Sequence, residues 1–139
     1  MEEKEKKAQE MYMEFQMLDQ HIKQLQQQIQ AVTQQLMEFE VTSMSLEDLQ
    51  KVPSGKEIFV PLSSGIFTKA TIKDTSELLV NVGANVIVQK DIASTKKLIA
   101  NQVEEVRKLQ KRMVDDLEKM TEKAANIEEQ LQKLVSENK

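Results

Sequence analysis

Apolar residues in the N-terminal part of the chain return at alternating steps of four and three: Met11, Phe15, Leu18, Ile22, Leu25, Ile29, Val32, Leu36 and Phe39. That rhythm keeps one narrow stripe on a helix and predicts a coiled-coil seam rather than the broad apolar face of a globular core helix. The same steps reappear near the C-terminus through Ile99, Val103, Val106, Met113, Leu117, Met120, Ala124, Ile127, Leu131 and Leu134. Polar Gln and Lys fill most places off the first seam between Asp19 and Gln35, so the glutamine run reads as a solvated helix face.

The helix breakers, three glycines and two prolines, all lie between Pro53 and Gly83. The pattern therefore predicts one unit over residues 1–139, with an N-terminal coiled-coil arm at 1–51, a breaker-containing middle at 52–90 and a C-terminal coiled-coil arm at 91–139. If the arms fold back on each other antiparallel, core positions of opposite heptad type must face. A register that sets Met11 against Leu131, Phe15 against Ile127, Ile22 against Met120, Leu25 against Leu117, Ile29 against Met113 and Leu36 against Val106 does this throughout. A slip of one heptad keeps the same phase, but the first register brackets the middle segment symmetrically, with Lys51 opposite Asp91. Gln110 then falls opposite Val32, a polar core place that fixes register at some cost in stability.

In the middle the period drops to two. Ile58, Val60 and Leu62 alternate with Phe59 and Pro61, and Ile66, Thr68, Ala70 and Ile72 alternate with Phe67, Lys69, Thr71 and Lys73. A hairpin around Ser63 to Gly65 follows, with Pro61 placed on an edge because it cannot donate a ladder hydrogen bond. LLVNV and VIVQ flank Gly83, Ala84 and Asn85 and predict a second hairpin. Isolated hairpins are marginal in water and expose unpaired edges, so these strands need partners. The expected fold is mainly α with a small β module, in which strands from several subunits close a shared sheet or barrel. The apolar face of Ile58, Val60, Leu62, Ile66, Val80, Val82, Val86 and Val88 is the candidate assembly surface.

Composition narrows the function more than it defines it. With 4% aromatic and 30% charged residues in 139, there is little material for a broad core. Charge divides as about −5 over 1–51, +1 over 52–90 and 0 over 91–139 within the total of −4, so no segment carries a nucleic-acid footprint. Cysteine is absent, which removes disulfides and thiolate zinc sites, and no apolar run approaches the ~20 residues of a membrane span. MEEKEKK lacks the apolar stretch of a signal peptide, giving a cytoplasmic expectation with no membrane contact. His21, the single histidine, flanks the seam and reads as a surface residue. Gly65 and Gly83 fit turns and form no phosphate-cradling pattern. No enzyme, cofactor or metal is expected, because no set of titratable groups converges as a catalytic site requires.

One stretch departs from the seam. Tyr12, Met13 and Met17 add apolar groups at flanking and outward positions, and Val135 does the same beside Leu131 and Leu134. Methionine is flexible and polarizable and suits contact with many different apolar surfaces. The stretch is either a sticky free end or a face that packs on another helix in an oligomer. Met11, Tyr12, Met13, Phe15, Met17, Leu131, Leu134 and Val135 together form the candidate binding tip.

GKEIFVPLSSGIFTKATI at 55–72 and LLVNVGANVIVQKDIASTKKLI at 78–99, with a heptad helix on each side, resemble the alpha class of prefoldin subunits over almost the whole chain. The resemblance implies helical hairpins projecting from joined β-barrels, two β-hairpins per subunit, and a hexamer of two alpha-class and four beta-class subunits. It further implies ATP-independent capture of nonnative proteins by the arm ends and their transfer to a group II chaperonin. A structural scaffold or filament subunit, assembling through the same strands, is the alternative.

Overall fold

The computed structural model describes residues 2–137. Helix α1 (Glu2–Gln50) is followed by strands β1 (Glu57–Ser63), β2 (Ile66–Thr71), β3 (Leu78–Asn81) and β4 (Ile87–Lys90), then by helix α2 (Ile92–Glu137). Two long helices with two small antiparallel hairpins between them is the architecture that the two periodicities predict. The chain divides into two compact units, one made of residues up to 35 with those from 106 on, the other of residues 36–105.

In the first unit the helices run antiparallel. Every seam residue there, from Met11 to Val32 and from Val106 to Leu134, is half-buried or buried, while Gln26, Gln27, Gln28, Gln30, Gln34 and Gln35 are exposed. Only Ala124 and Ile127 fall to 7% exposure, as a two-helix seam without a third layer allows. The polar layer takes a specific form. Gln110 Nε2 donates to Thr33 Oγ1 at 3.0 Å, and that hydroxyl donates in turn to the Ile29 carbonyl at 2.8 Å. Gln110 thus finds its partner one residue from the expected Val32, because the threonine beside the seam offers the lone pair that valine lacks. Lys123 pairs with Glu14 at 3.5 Å and Lys4 with Glu137 at 3.7 Å; all four side chains are largely exposed, so these pairs mark the antiparallel direction and add little stability.

The second unit holds its own small core. Leu46, Ile92 and Ile99 are buried together, with Phe39, Leu49, Val103 and the β3 residue Leu78 packed on them. Buried Thr95 donates its hydroxyl to the Asp91 carbonyl at 2.8 Å, so it brings no unsatisfied group into this core. Lys96 Nζ lies across to α1, 3.0 Å from Gln50 Oε1 and 3.8 Å from Glu47. The α1 helix ends where Lys51 and Val52 bond three residues back, at 3.1 Å each, and Pro53 prevents continuation.

β1 and β2 pair from Glu57↔Thr71 to Pro61↔Phe67, and a register shift at Leu62 brings Ser63 opposite Ile66. Proline without an N–H next to a bulge is a common combination at a sheet edge. Gly65 takes the left-handed backbone (φ 78°) that closes this loop. β3 and β4 pair from Leu78↔Lys90 to Asn81↔Ile87. Their turn is tighter than its sequence favours. Val86 N–H donates to the Gly83 carbonyl at 2.9 Å while the two central residues, Ala84 (φ 50°) and Asn85 (φ 62°), are both left-handed. That is a type I′ turn, in which asparagine is tolerated and alanine is strained by about 1–2 kcal/mol. Ala84→Gly is therefore expected to stabilise the hairpin by about 1 kcal/mol after the entropy of the added glycine is deducted. Slower amide exchange at Val82 and Val86 would register the gain; faster exchange would show that the turn carries no such strain.

Asp91 starts α2 as its N-cap, its Oδ1 accepting the Ser94 amide at 2.6 Å. Hydrogen bonds from Ser94 hold its carboxyl below the usual aspartate value, opposed by slight desolvation and aided by Lys90. Because the folded value is the lower one, the contribution is fully present above the unfolded value of about 3.9 and is lost as pH falls through the folded one. Asp91→Asn keeps a capping oxygen without the charge. In acid titrations followed by helix content, the variant is expected to show a shallower loss of α2 below that pH, and identical acid profiles would show that the cap is not linked to stability.

Candidate interaction surfaces

The residues of the candidate tip fall into two groups. Met11, Phe15, Leu131 and Leu134 are half-buried in the seam, where they hold the helices together. Tyr12, Met13, Met17 and Val135 are more than half exposed among the described residues. Tyr12 and Leu131 with Val135 border one open groove on this unit, along with Glu128, Gln132 and Ser136. Tyr12 and Val135 thus meet across one groove, while Met13 and Met17 add exposed apolar groups to the same helix as Tyr12.

The strand residues divide in the same way. Ile58, Val60, Val80 and Val88 are half-buried within the second unit, and Ile58 shares a hollow with Leu49, Ile72 and Leu78. Leu62, Ile66, Val82 and Val86, at the hairpin ends, are exposed. The opposite face, which the sequence pattern left out, carries Phe59 (66% exposed), Phe67 (61%), Leu79 (74%) and Ile87 (63%). Both faces of these strands are apolar, so alternation alone does not say which one the chain covers. In the second hairpin the choice is made by Leu78, whose anchoring in the helical core turns Leu79 outward.

A further surface went unmarked in the sequence. Met37, Val41 and Met44 are each more than 60% exposed on α1 in the second unit. Their own steps of four and three, offset from the seam at Leu36 and Phe39, were the signal available.

His21 is exposed and borders a shallow hollow with Gln24, Leu25, Gln28, Asp116 and Met120. Among the described residues no cluster of His, Cys, Asp or Glu has the makings of a metal site, and no helix is long and apolar enough to cross a membrane.

An arrangement of paired helices, two hairpins and exposed apolar faces is suited to holding other chains. The prefoldin subunit family model matches residues 18–137, both hairpins included. The chain belongs to the prefoldin family. It is 30% identical over 115 residues to a prefoldin subunit alpha of Thermofilum pendens, covering 83% of this chain and 89% of the relative. A prefoldin subunit alpha of Methanococcus aeolicus is 26% identical over 129 residues, covering 93% and 85%. Among solved structures, a chain of filamentous PFD from Methanocaldococcus jannaschii superposes with a TM-score of 0.75 at 15% identity, covering 81% of this chain and 93% of that one. With two hairpins between its helices and alpha-subunit relatives in several archaea, this is an alpha-class archaeal prefoldin subunit. Prefoldin subunits are chaperones rather than enzymes.

Proposed function

We propose that this prefoldin subunit is an ATP-independent chaperone component whose helix ends capture nonnative proteins and deliver them to a group II chaperonin. The observation that carries the reading is the set of exposed apolar side chains Tyr12, Met13, Met17 and Val135 on the helical pair of the first unit. Single contacts of this kind are weak, and several arms on one base raise the effective concentration enough to hold a client. The base is built by the hairpins. Phe59, Phe67, Leu79 and Ile87, with Leu62, Ile66, Val82 and Val86 at the hairpin ends, join strands of beta-class prefoldin subunits in a hexamer of two alpha and four beta chains. The half-buried set, Ile58, Val60, Val80 and Val88, backs that face from within the subunit. The 1–51, 52–90 and 91–139 segments then act as arm, assembly module and arm of one cytoplasmic unit, with no cofactor, nucleic acid or membrane as partner.

The M. jannaschii likeness, a filament, favours a second reading in which the chain assembles with copies of itself through the same strands. Native mass measurement separates the two. The chain mixed with beta-class subunits is expected to give one defined hexamer that suppresses aggregation of a refolding client without ATP. Long homopolymers that persist in the mixture would favour the filament, and a hexamer without client protection would refute capture.

A further inference from the structure

We infer that the groove at the arm end selects apolar client segments that carry a lysine or arginine beside the apolar residues, and that Glu128 is the residue that makes the selection. The inference rests on the client-capture reading and adds a charge preference to it. Of the residues lining the groove, Tyr12, Leu131 and Val135 supply apolar area, Gln132 and Ser136 are neutral, and Glu128 alone is charged.

Its charge has no ion-pair partner among the described residues. The residues three and four places along α2 in either direction are Ala124, Ala125, Leu131 and Gln132, so no basic neighbour stands at pairing distance on the helix. Glu129, one residue on, differs: Lys133 pairs with it at 3.7 Å. The lysines that reach the carboxylates around the groove are already engaged, Lys123 with Glu14 and Lys4 with Glu137.

A carboxylate and an aromatic ring that line one apolar groove make a receptor for a cation on an apolar chain. The carboxylate attracts the ammonium or guanidinium group, and the face of Tyr12 accepts the same cation through its ring quadrupole. An acidic client segment meets repulsion in the same place. The effect of one exposed pair is small, up to about fivefold in affinity. Engagement of several arms multiplies it into a usable preference among clients.

The test uses the full chain in its assembled form and fluorescent twelve-residue peptides with one leucine- and phenylalanine-rich centre, flanked by lysine, glutamine or glutamate. Fluorescence polarization is expected to rank lysine above glutamine above glutamate, with a spread of about two- to fivefold that shrinks in high salt. Glu128→Gln should bring the lysine and glutamine peptides level, and Glu128→Lys should invert the order. Equal binding of all three peptides by the unaltered protein, or a ranking that survives Glu128→Gln, would overturn the charge preference and leave client capture standing. Failure of every peptide to bind would instead count against the capture site itself. Helix content measured on each variant guards against a folding artefact.

Discussion

Replacing Phe59 and Leu79 together by Asp is expected to leave a helical chain that no longer assembles. Phe59 is 66% and Leu79 74% exposed in the isolated subunit, so charge at these places costs the subunit itself little. In a shared barrel the same carboxylates would be buried without partners, at several kcal/mol each. A tenfold loss of affinity corresponds to about 1.4 kcal/mol, so the double variant should weaken association by a factor on the order of a thousand or more. Native mass should fall to the free subunit while helical ellipticity stays. An oligomer of unchanged mass would mean that assembly uses another face. The corresponding change at Val80 is less informative, because Val80 is half-buried and shares a hollow with Phe39, Leu46 and Ile99. Loss of assembly there could follow from loss of the core.

The same contrast shows what could be read before any coordinates. Heptad steps and breaker positions place both helices within a few residues, since nothing in the arms competes with the helical period: α1 ends at Gln50 beside Pro53, and α2 begins at Ile92 behind its Asp91 cap. The strands follow from period two and the turn residues. Register was legible to within a residue at Gln110, because a half-buried amide at the seam finds a partner in the Thr33 hydroxyl beside it. The outward face of the hairpins was not legible. Strands such as EIFVPL and LLVN are apolar on both sides, and the orientation of LLVN depends on Leu78 docking against Leu46, Ile92 and Ile99, a contact distant in sequence. The outward row of Met37, Val41 and Met44 was missed for a different reason. Its steps of four and three match those of the seam beside it, so spacing alone does not separate a paired stripe from an exposed one.

At the arm end, sequence and structure together separate residues that close the seam from residues that remain available, and this sets the second expected result. Changing Tyr12, Met13, Met17 and Val135 to Gln should leave the oligomer intact and reduce protection of a refolding client at least tenfold. Each exposed side chain offers apolar area worth about 25 cal/mol per Å² when a client covers it, so one arm loses about 1–3 kcal/mol of contact. Several arms act on one client, and the losses compound through effective concentration. Glutamine keeps good helix propensity, so α1 and α2 should persist. Met11, Phe15, Leu131 and Leu134 serve as the control set: they are half-buried in the seam, and the same change there should separate the helix ends and lower helix content as well as protection. Oligomer mass, ellipticity and light scattering from the client are measured on one preparation of each variant. Full protection by an intact oligomer carrying the four exposed changes would remove the tip from the mechanism, whereas loss of the oligomer would show that Tyr12, Met13, Met17 and Val135 pack against a neighbouring subunit's helix instead of a client.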